Sequence, residues 1–74
     1  MNRYYVVYDH VSEFNNVRGY EKVNTKMDVF IRANSQIEAL SKLFDEVTKY
    51  NTTKTQRYVE TIHAIMLTEH DDEE

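Results

Sequence analysis

The sequence predicts a small α+β domain, and three observations lead to this prediction. Apolar and polar residues alternate over residues 21–33, which is the period of a strand with one buried face. Residues 35–50 carry apolar side chains at spacings of three and four, the period of an amphipathic helix. Residues 3–11 and 56–68 are rich in β-branched and aromatic residues, as strands are. The expected element order is β-β-α-β, with one helix on one face of a three-stranded sheet.

The first predicted strand, residues 3–11, has apolar side chains on both sides of its alternation. Such a pattern is typical of a central strand that is covered on both faces. The next residues, 12–19, include Asn15, Asn16 and the only glycine of the chain, Gly19. These residue types tolerate the left-handed backbone that hairpin loops use. We therefore expect residues 12–19 to be the loop of a β-hairpin.

The second predicted strand shows the clearest alternation in the chain. Every second residue from Val23 to Ala33 is small or apolar in character, and the residues between them are polar, apart from Phe30. An alternation of this kind places one face of the strand against a core and the other toward solvent. Phe30 breaks the polar row and therefore predicts an apolar contact on the second face of the sheet.

The helix is predicted to begin at a capping box formed by Ser35 and Glu38, in which each side chain accepts a hydrogen bond from a backbone N–H. Its apolar stripe is expected to be the buried side: Ile37, Leu40, Leu43, Phe44 and Val47. Oppositely charged residues four positions apart on the outer side predict two ion pairs, Glu38 with Lys42 and Asp45 with Lys49.

The last apolar segment, residues 56–68, is interpreted as the third strand. A helix is the alternative over 57–68, because Val59, Ile62 and Ile65 also fit the helical period. As a strand, the segment is reached from the second strand by a right-handed crossover through the helix. The third strand then lies parallel to the second and beside the first, in the order 2-1-3. Residues 1–68 are expected to form this single domain.

A homodimer is expected because the single helix can cover only one face of the predicted sheet. A domain of this size buries a modest fraction of its surface, and the absence of cysteine excludes stabilisation by disulfides. A second copy of the chain is the simplest cover for the remaining apolar face. The residues that we assign to this interface are Phe30, Val59, Ile65 and Leu67.

Negative charge is concentrated at the carboxyl end of the chain. The net charge is −4, and five of the 13 acidic residues fall in residues 69–74. The other eight acids face nine bases in residues 1–68, which leaves a balance of +1. We expect an acidic tail over 69–74 that either keeps the chain in solution or competes for a basic surface as phosphates do. The candidate partner-binding residues are Glu38, Asp45, Glu46, Glu69, Asp71, Asp72, Glu73 and Glu74.

No motif in the sequence predicts catalysis, a cofactor site or a metal site. With one glycine and no cysteine, the chain lacks the residues of a phosphate loop, a thiolate zinc site and a cysteine nucleophile. Its histidines, His10, His63 and His70, are not spaced as metal ligands. Adjacent side chains on a helix point about 100° apart, so Asp45 and Glu46 do not form an acid/base pair. We expect no enzyme activity and no cofactor.

A small nucleic-acid-binding protein is the alternative functional class. Arginines and aromatics on a sheet face can neutralise phosphates and stack bases, and the candidates are Arg3, Arg32 and Arg57 with Tyr4, Tyr5, Phe30 and Tyr58. The acidic carboxyl end argues against direct binding, because it repels phosphates. Neither a signal peptide nor a membrane span is recognised, so we expect a cytoplasmic location without membrane contact.

The helix and third strand, RANSQIEALSKLF and QRYVETIHAIML, belong to a small acidic chain without cysteine or proline. In this general character the chain resembles the early host-takeover proteins of lytic phages. Some of those proteins are DNA mimics that bind histone-like or other DNA-binding host proteins. The resemblance implies a non-enzymatic inhibitor in the host cytoplasm that presents acidic groups to a basic partner, as DNA presents its phosphates.

Overall fold

A computed structural model describes residues 1–69 as three strands and one helix. Their bounds are β1 Asn2–Asn16, β2 Gly19–Ala33, α1 Gln36–Thr48 and β3 Thr55–Glu69. The sheet has the order β2-β1-β3, and β1 runs antiparallel to both neighbours. The predicted α+β class, the β-β-α-β order and the 2-1-3 sheet are confirmed. The helical alternative for residues 57–68 is wrong.

The β1–β2 hairpin is longer than predicted. β1 continues to Asn16 and pairs with Gly19, so the loop between them has only two residues. The Asn16 Oδ1 accepts a hydrogen bond from Arg18 N at 2.7 Å, and Gly19 has a φ of 123°, where only glycine is unstrained. The prediction of a loop over 12–19 is therefore wrong. Half-buried Phe14 lies within the ladder, and a tight turn needs only the residues at its tip.

α1 begins at the predicted capping box. The Ser35 Oγ accepts a hydrogen bond from Glu38 N at 3.1 Å, and the Glu38 carboxylate accepts one from Asn34 N. Glu38 N is one of the backbone N–H groups that a helix start leaves without an intrahelical partner, whereas Asn34 N lies one residue before the cap, where a standard capping box would use Ser35 N. The helix ends at Thr48, slightly earlier than the predicted 50.

The core lies between α1 and the sheet. Its buried members are Tyr4, Val6, Tyr8, Ala33, Ala39, Leu43 and Val47. Ile37 is 81% exposed and Phe44 is 43% exposed, so their assignment to the buried stripe is wrong. The helix contacts the sheet along Ala39, Leu43 and Val47, which are four residues apart and lie on one line of its surface.

Bulges in β3 explain which of its side chains reach the core. The pairing of β1 with β3 shifts register beside Tyr8 and again beside His10, and each shift leaves one extra residue on β3. An extra residue moves the following side chains to the other face of the strand. Val59, Ile62 and Ile65 therefore all pack against the core, although they are three residues apart.

The molecule is elongated, with extents of 54 × 20 × 13 Å. A helix of 13 residues is about 20 Å long. α1 therefore covers less than half of the length of the sheet. Within residues 1–69, no helix has the length and apolar character needed to cross a membrane.

Candidate interaction surface

The face of the sheet opposite α1, which we call the open face, is the main candidate for a functional surface. Successive side chains of a strand point to opposite faces, so the residues that alternate with buried Tyr4, Val6 and Tyr8 lie on it. In β1 these are Arg3, Tyr5, Val7, Asp9, Val11 and Glu13. Their register partners in β2 are Arg32, Phe30, Asp28, Lys26, Asn24 and Lys22.

One end of the open face carries a cluster formed by Arg3, Tyr5, Phe30 and Met66, which we call the aromatic cluster. The ring centroids of Tyr5 and Phe30 are 5.0 Å apart, and Arg3 Cζ lies 5.0 Å from the centre of the Phe30 ring. Met66 is the β3 register partner of Tyr5. Phe30 is 56% exposed and Met66 51% exposed. The cluster is therefore an apolar surface with one cation stacked on it.

The rest of the open face is covered by polar side chains that pair across the strands. Tyr5 Oη donates to Asp28 Oδ2 at 2.6 Å, His63 Nε2 lies 2.9 Å from Asp9 Oδ1, and Asn24 Nδ2 donates to Glu60 Oε1 at 2.9 Å. The bond to Asp28 also raises the pKa of Tyr5. Cross-strand pairs of this kind stabilise a sheet and fix its register.

Val11 is fully buried although it lies on the open face and outside the cluster beneath α1. Its register partners are Asn24 in β2 and Tyr58 in β3. β2 and β3 are the two edge strands, so the hydrogen bond from Asn24 to Glu60 must pass over β1. Polar side chains from both edges therefore cover Val11. The sequence predicts that both faces of this strand are covered, but not that polar residues of the same chain form the cover over Val11.

Glu13 joins two tyrosines at the far end of the open face. Tyr58 Oη donates a hydrogen bond to the Glu13 carboxylate. Hydrogen bonds from Tyr58 and then from Tyr20 lower the pKa of Glu13. The bond to Glu13 is the main cause that raises the pKa of Tyr58 to about 12. Partial desolvation, followed by the bond to Glu13, raises the pKa of Tyr20.

The acidic residues predicted on α1 have different surroundings. Glu38 caps the start of the helix, and Glu46 Oε2 lies 3.1 Å from Lys49 Nζ. Asp45 is exposed, and within residues 1–69 no side chain contacts its carboxylate as a hydrogen-bond or ion-pair partner. Of these three residues, Asp45 is the one whose charge is most available to another molecule.

Glu69, predicted as the first residue of the acidic tail, is the last residue of β3. Its Oε1 lies 3.4 Å from Arg3 Nε, beside the aromatic cluster. The remaining predicted tail residues lie outside the described part of the chain: Asp71, Asp72, Glu73 and Glu74. His70 lies outside it as well.

The four residues predicted to form the dimer interface lie on different faces. Phe30 is on the open face, as its place in the polar row of β2 predicts. Val59 and Ile65 pack against the core beneath α1. Leu67 is 51% exposed and is the register partner of buried Tyr4, so it lies on the helix side of β3. These residues do not share one surface, and the homodimer itself stays a prediction.

The arginines and aromatics of the nucleic-acid alternative are divided in the same way. Arg57 Nη1 donates to Tyr50 O at 3.0 Å, and Tyr4 is buried beneath the helix. Tyr58 lies with Glu13 at the far end of the open face. The members that remain together near one end of the open face are Arg3, Arg32, Tyr5 and Phe30.

Comparison of the chain with protein-family models, with curated proteins and with solved structures finds no match. Among the side chains of residues 1–69, no group of three or more histidines and carboxylates is arranged to hold a metal ion. The functional argument therefore depends on the surface of the molecule itself.

Proposed function

We propose that the chain is a non-enzymatic protein-binding module that contacts its partner through the open face. The aromatic cluster is the observation that carries this proposal. It presents Tyr5, Phe30 and Met66 with Arg3 stacked on the Phe30 ring. Aromatic residues, methionine and arginine are enriched at protein interfaces, and tyrosine and arginine are among the residues that contribute most binding energy there.

The polar pairs of the open face support the same proposal. Tyr5 is held by its hydrogen bond to Asp28, and the bond from Asn24 to Glu60 connects the two edge strands. Side chains that are already held in place lose less conformational entropy when a partner binds. The open face is in this sense organised before binding.

We propose further that the partner is basic, and in the finer form of the hypothesis it is a DNA-binding host protein that the chain inhibits as a DNA mimic. The net charge of −4 and the acids of residues 69–74 support this choice. The exposed Asp45 carboxylate adds to it. Charges at the rim of an interface mainly accelerate association and make it sensitive to salt.

A competition assay tests the proposal, with labelled DNA displaced from a basic histone-like protein by the native chain and three variants. Phe30→Ala should weaken displacement by about tenfold or more, mainly through faster dissociation, because it removes the centre of the cluster. Deletion of residues 70–74 should slow association and reduce the salt dependence. Val17→Ala is the matched control, because Val17 is an exposed apolar residue in the hairpin loop.

Equal displacement by the native chain and Phe30→Ala would contradict the assignment of the open face. Displacement that does not depend on salt, or that survives deletion of residues 70–74 unchanged, would contradict the DNA-mimic form of the proposal. In that case the protein-binding module stands with a partner that is not selected by charge.

Direct nucleic-acid binding is the second candidate, and the position of Arg3 and Arg32 beside Tyr5 and Phe30 favours it. Aromatic rings can stack bases while arginines contact phosphates. Direct binding of labelled DNA or RNA to the chain alone, lost in Phe30→Ala, would select this candidate over the first.

Self-association is also part of the proposal. Within residues 1–69 only eight side chains are buried, and large apolar side chains are exposed on both layers of the molecule. A domain of this size gains a substantial share of its stability when a second copy covers such surface.

A further inference from the structure

We infer that two copies of the chain associate through the β3 side of the molecule, where the unpaired edge of β3 and the adjacent flank of α1 meet the same surfaces of the second copy. This inference rests on the proposed self-association and adds the surface that performs it. Because β1 is central, β2 and β3 are both edge strands of 15 residues. Each therefore has backbone N–H and C=O groups that another strand can pair with.

The β2 side of the molecule is charged in both layers. Lys42 Nζ donates to Arg32 O at 2.7 Å, and Lys42 and Glu46 line a groove between α1 and β2. β2 itself carries Lys22 and Lys26, and both are exposed. Pairing two β2 edges about a two-fold axis would withdraw these charged side chains from water, which is costly. The β2 edge is therefore the poorer edge for pairing with itself.

The flank of α1 that faces β3 is apolar. Residues advance about 100° around a helix, which places Phe44 about 160° from Lys42 and therefore on the opposite flank. Ile37 lies two turns before Phe44 on the same flank. Their exposed fractions are 81% for Ile37 and 43% for Phe44. The side of the helix opposite the charged groove thus offers two large apolar side chains.

The β3 edge next to this flank is uncharged over Ala64–Leu67. The register of β3 shifts on either side of this segment, so these four residues form an undistorted length of edge. Leu67 is 51% exposed and lies on the helix side. α1 begins just after the end of β2. The end of β2 and the end of β3 both pair with the start of β1, so the start of α1 lies near the end of β3. Ile37 and Leu67 are therefore at the same end of the molecule.

A second copy fits this side of the molecule in shape as well as in charge. Antiparallel pairing of the two β3 edges would place the two β1 strands three strand spacings apart, about 14 Å. Each α1 lies over β1 and is about 10 Å wide, so a gap of about 4 Å remains between the helices. Because this width already includes the side chains, Ile37 and Phe44 of both copies would line this gap, at about the contact distance of apolar side chains.

The contact area indicates a weak dimer. The β3 side of the molecule measures 54 Å by 13 Å. Only the end of this side that carries α1, about 20 Å long, has both layers, which gives about 260 Å² and is well below the roughly 800 Å² that each partner buries in an interface of standard size. We therefore expect a monomer–dimer equilibrium that depends on concentration, with the open face left free in the dimer.

Sedimentation velocity of the full chain over a series of concentrations tests the inference. The native chain should form a dimer, and Ile37→Glu and Leu67→Glu should each weaken association about tenfold or more, because each buries a charge at an apolar contact. Phe30→Glu and Val17→Glu are controls on the open face and the hairpin loop, and both should leave association unchanged. Circular dichroism of each variant verifies that it is folded.

Hydrogen exchange of the native chain gives a second measurement that needs no variant. Protection of the amides of residues 64–67 should rise with protein concentration, while that of residues 19–26 on the β2 edge should not. A native chain that stays monomeric at every concentration would overturn both the inference and the proposed self-association, and would leave binding through the open face untouched. A dimer that is lost in Phe30→Glu and retained in Ile37→Glu and Leu67→Glu would overturn the β3 assignment alone.

Discussion

At the residue scale, the Glu13 carboxylate links all three strands through hydrogen bonds at the end of the sheet that α1 does not cover. Its hydrogen bond from Tyr58 joins β1 to β3, and its interaction with Tyr20 joins β1 to β2. A phenol donates more strongly to an ionised carboxylate than to a neutral carboxyl group. The bond therefore lowers the pKa of Glu13 and raises the pKa of Tyr58 to about 12.

Glu13→Gln should therefore lower the pKa of Tyr58 toward the ordinary tyrosine value of about 10, because the charged acceptor is lost. An NMR titration that resolves each tyrosine ring measures this change, because Tyr5 and Tyr20 also have raised pKa values. Glu21→Gln is the matched control, because Glu21 is an exposed acid nearby in the same hairpin and should leave the titration unchanged. A Tyr58 pKa that stays near 12 in Glu13→Gln would show that another group raises it.

The same variant has a pH-dependent effect on stability. Because folding lowers the pKa of Glu13, its contribution is present above the unfolded carboxyl value of about 4.3 and is lost as the pH falls through the lowered value. Folding raises the pKa of Tyr58, so that contribution is complete below about pH 10 and is lost as the pH rises through about 12. Urea unfolding should show a lower unfolding free energy for Glu13→Gln near neutrality, and the difference should shrink in acid.

Charged side chains of α1 make contacts that spacing alone does not predict. The predicted pairs Glu38 with Lys42 and Asp45 with Lys49 are both wrong. Lys42 donates to a carbonyl of β2, and Lys49 pairs with Glu46. Glu38 caps the helix and is not available to Lys42. Tertiary and capping partners compete with pairs along the helix, and weak exposed pairs of about 0.5 kcal/mol lose this competition.

At the element scale, α1 is held by one narrow line of contact with the sheet. Leu43 is 3% exposed and packs at its centre, whereas Ile37 on the same helix is 81% exposed. Leu43→Ala should lower the unfolding free energy by about 2–5 kcal/mol, through lost burial and a cavity. Ile37→Ala is the matched control and should change it by less than about 1 kcal/mol in dilute protein. Urea unfolding measures both free energies. Equal losses in the two variants would contradict the assignment of Leu43 to the contact with the sheet and of Ile37 to the exposed side.

The elements and their order can be predicted from the sequence because each has a strong local signal. The alternation of β2 and the capping box of α1 depend on neighbouring residues alone, and both are confirmed. The length of the hairpin could not be predicted, since Phe14 is kept in the ladder by pairing with β2. The faces of β3 could not be predicted either, because its bulges are defined by the register with β1 and not by β3 itself.

The candidate surface could be predicted only in part. The break that Phe30 makes in a polar row predicts that it lies on the uncovered face, and the structure locates it there. The polar cover of Val11 depends on Asn24 and Glu60, which are 36 residues apart, and no local pattern connects them. Likewise the direction of the apolar flank of α1 depends on the contact of Lys42 with β2, which no local pattern predicts.

At the scale of the whole molecule, the sheet extends well beyond its helix. The molecule is 54 Å long, and α1 covers about 20 Å of that length, over the half that contains Tyr4, Val6 and Tyr8. The other half depends on the hairpin ladder, on Val11 and on the hydrogen bonds of Glu13. The packing of apolar side chains is therefore concentrated at the end of the sheet that α1 covers.

Native-state hydrogen exchange should show this division as a gradient along β1. Amides of β1 residues 4–8 should exchange only through global unfolding, because β1 is the central strand and these residues lie beneath the helix. Amides of residues 13–16 and 19–22 should exchange at least about tenfold faster through local opening of the hairpin end, where few apolar side chains are buried. Glu13→Gln should steepen the gradient by accelerating exchange at the hairpin end alone, whereas Leu43→Ala should accelerate exchange beneath the helix. Uniform protection along β1, or equal effects of the two variants at both ends, would show that the sheet opens as one unit and that the Glu13 hydrogen bonds and the helix stabilise the same structure.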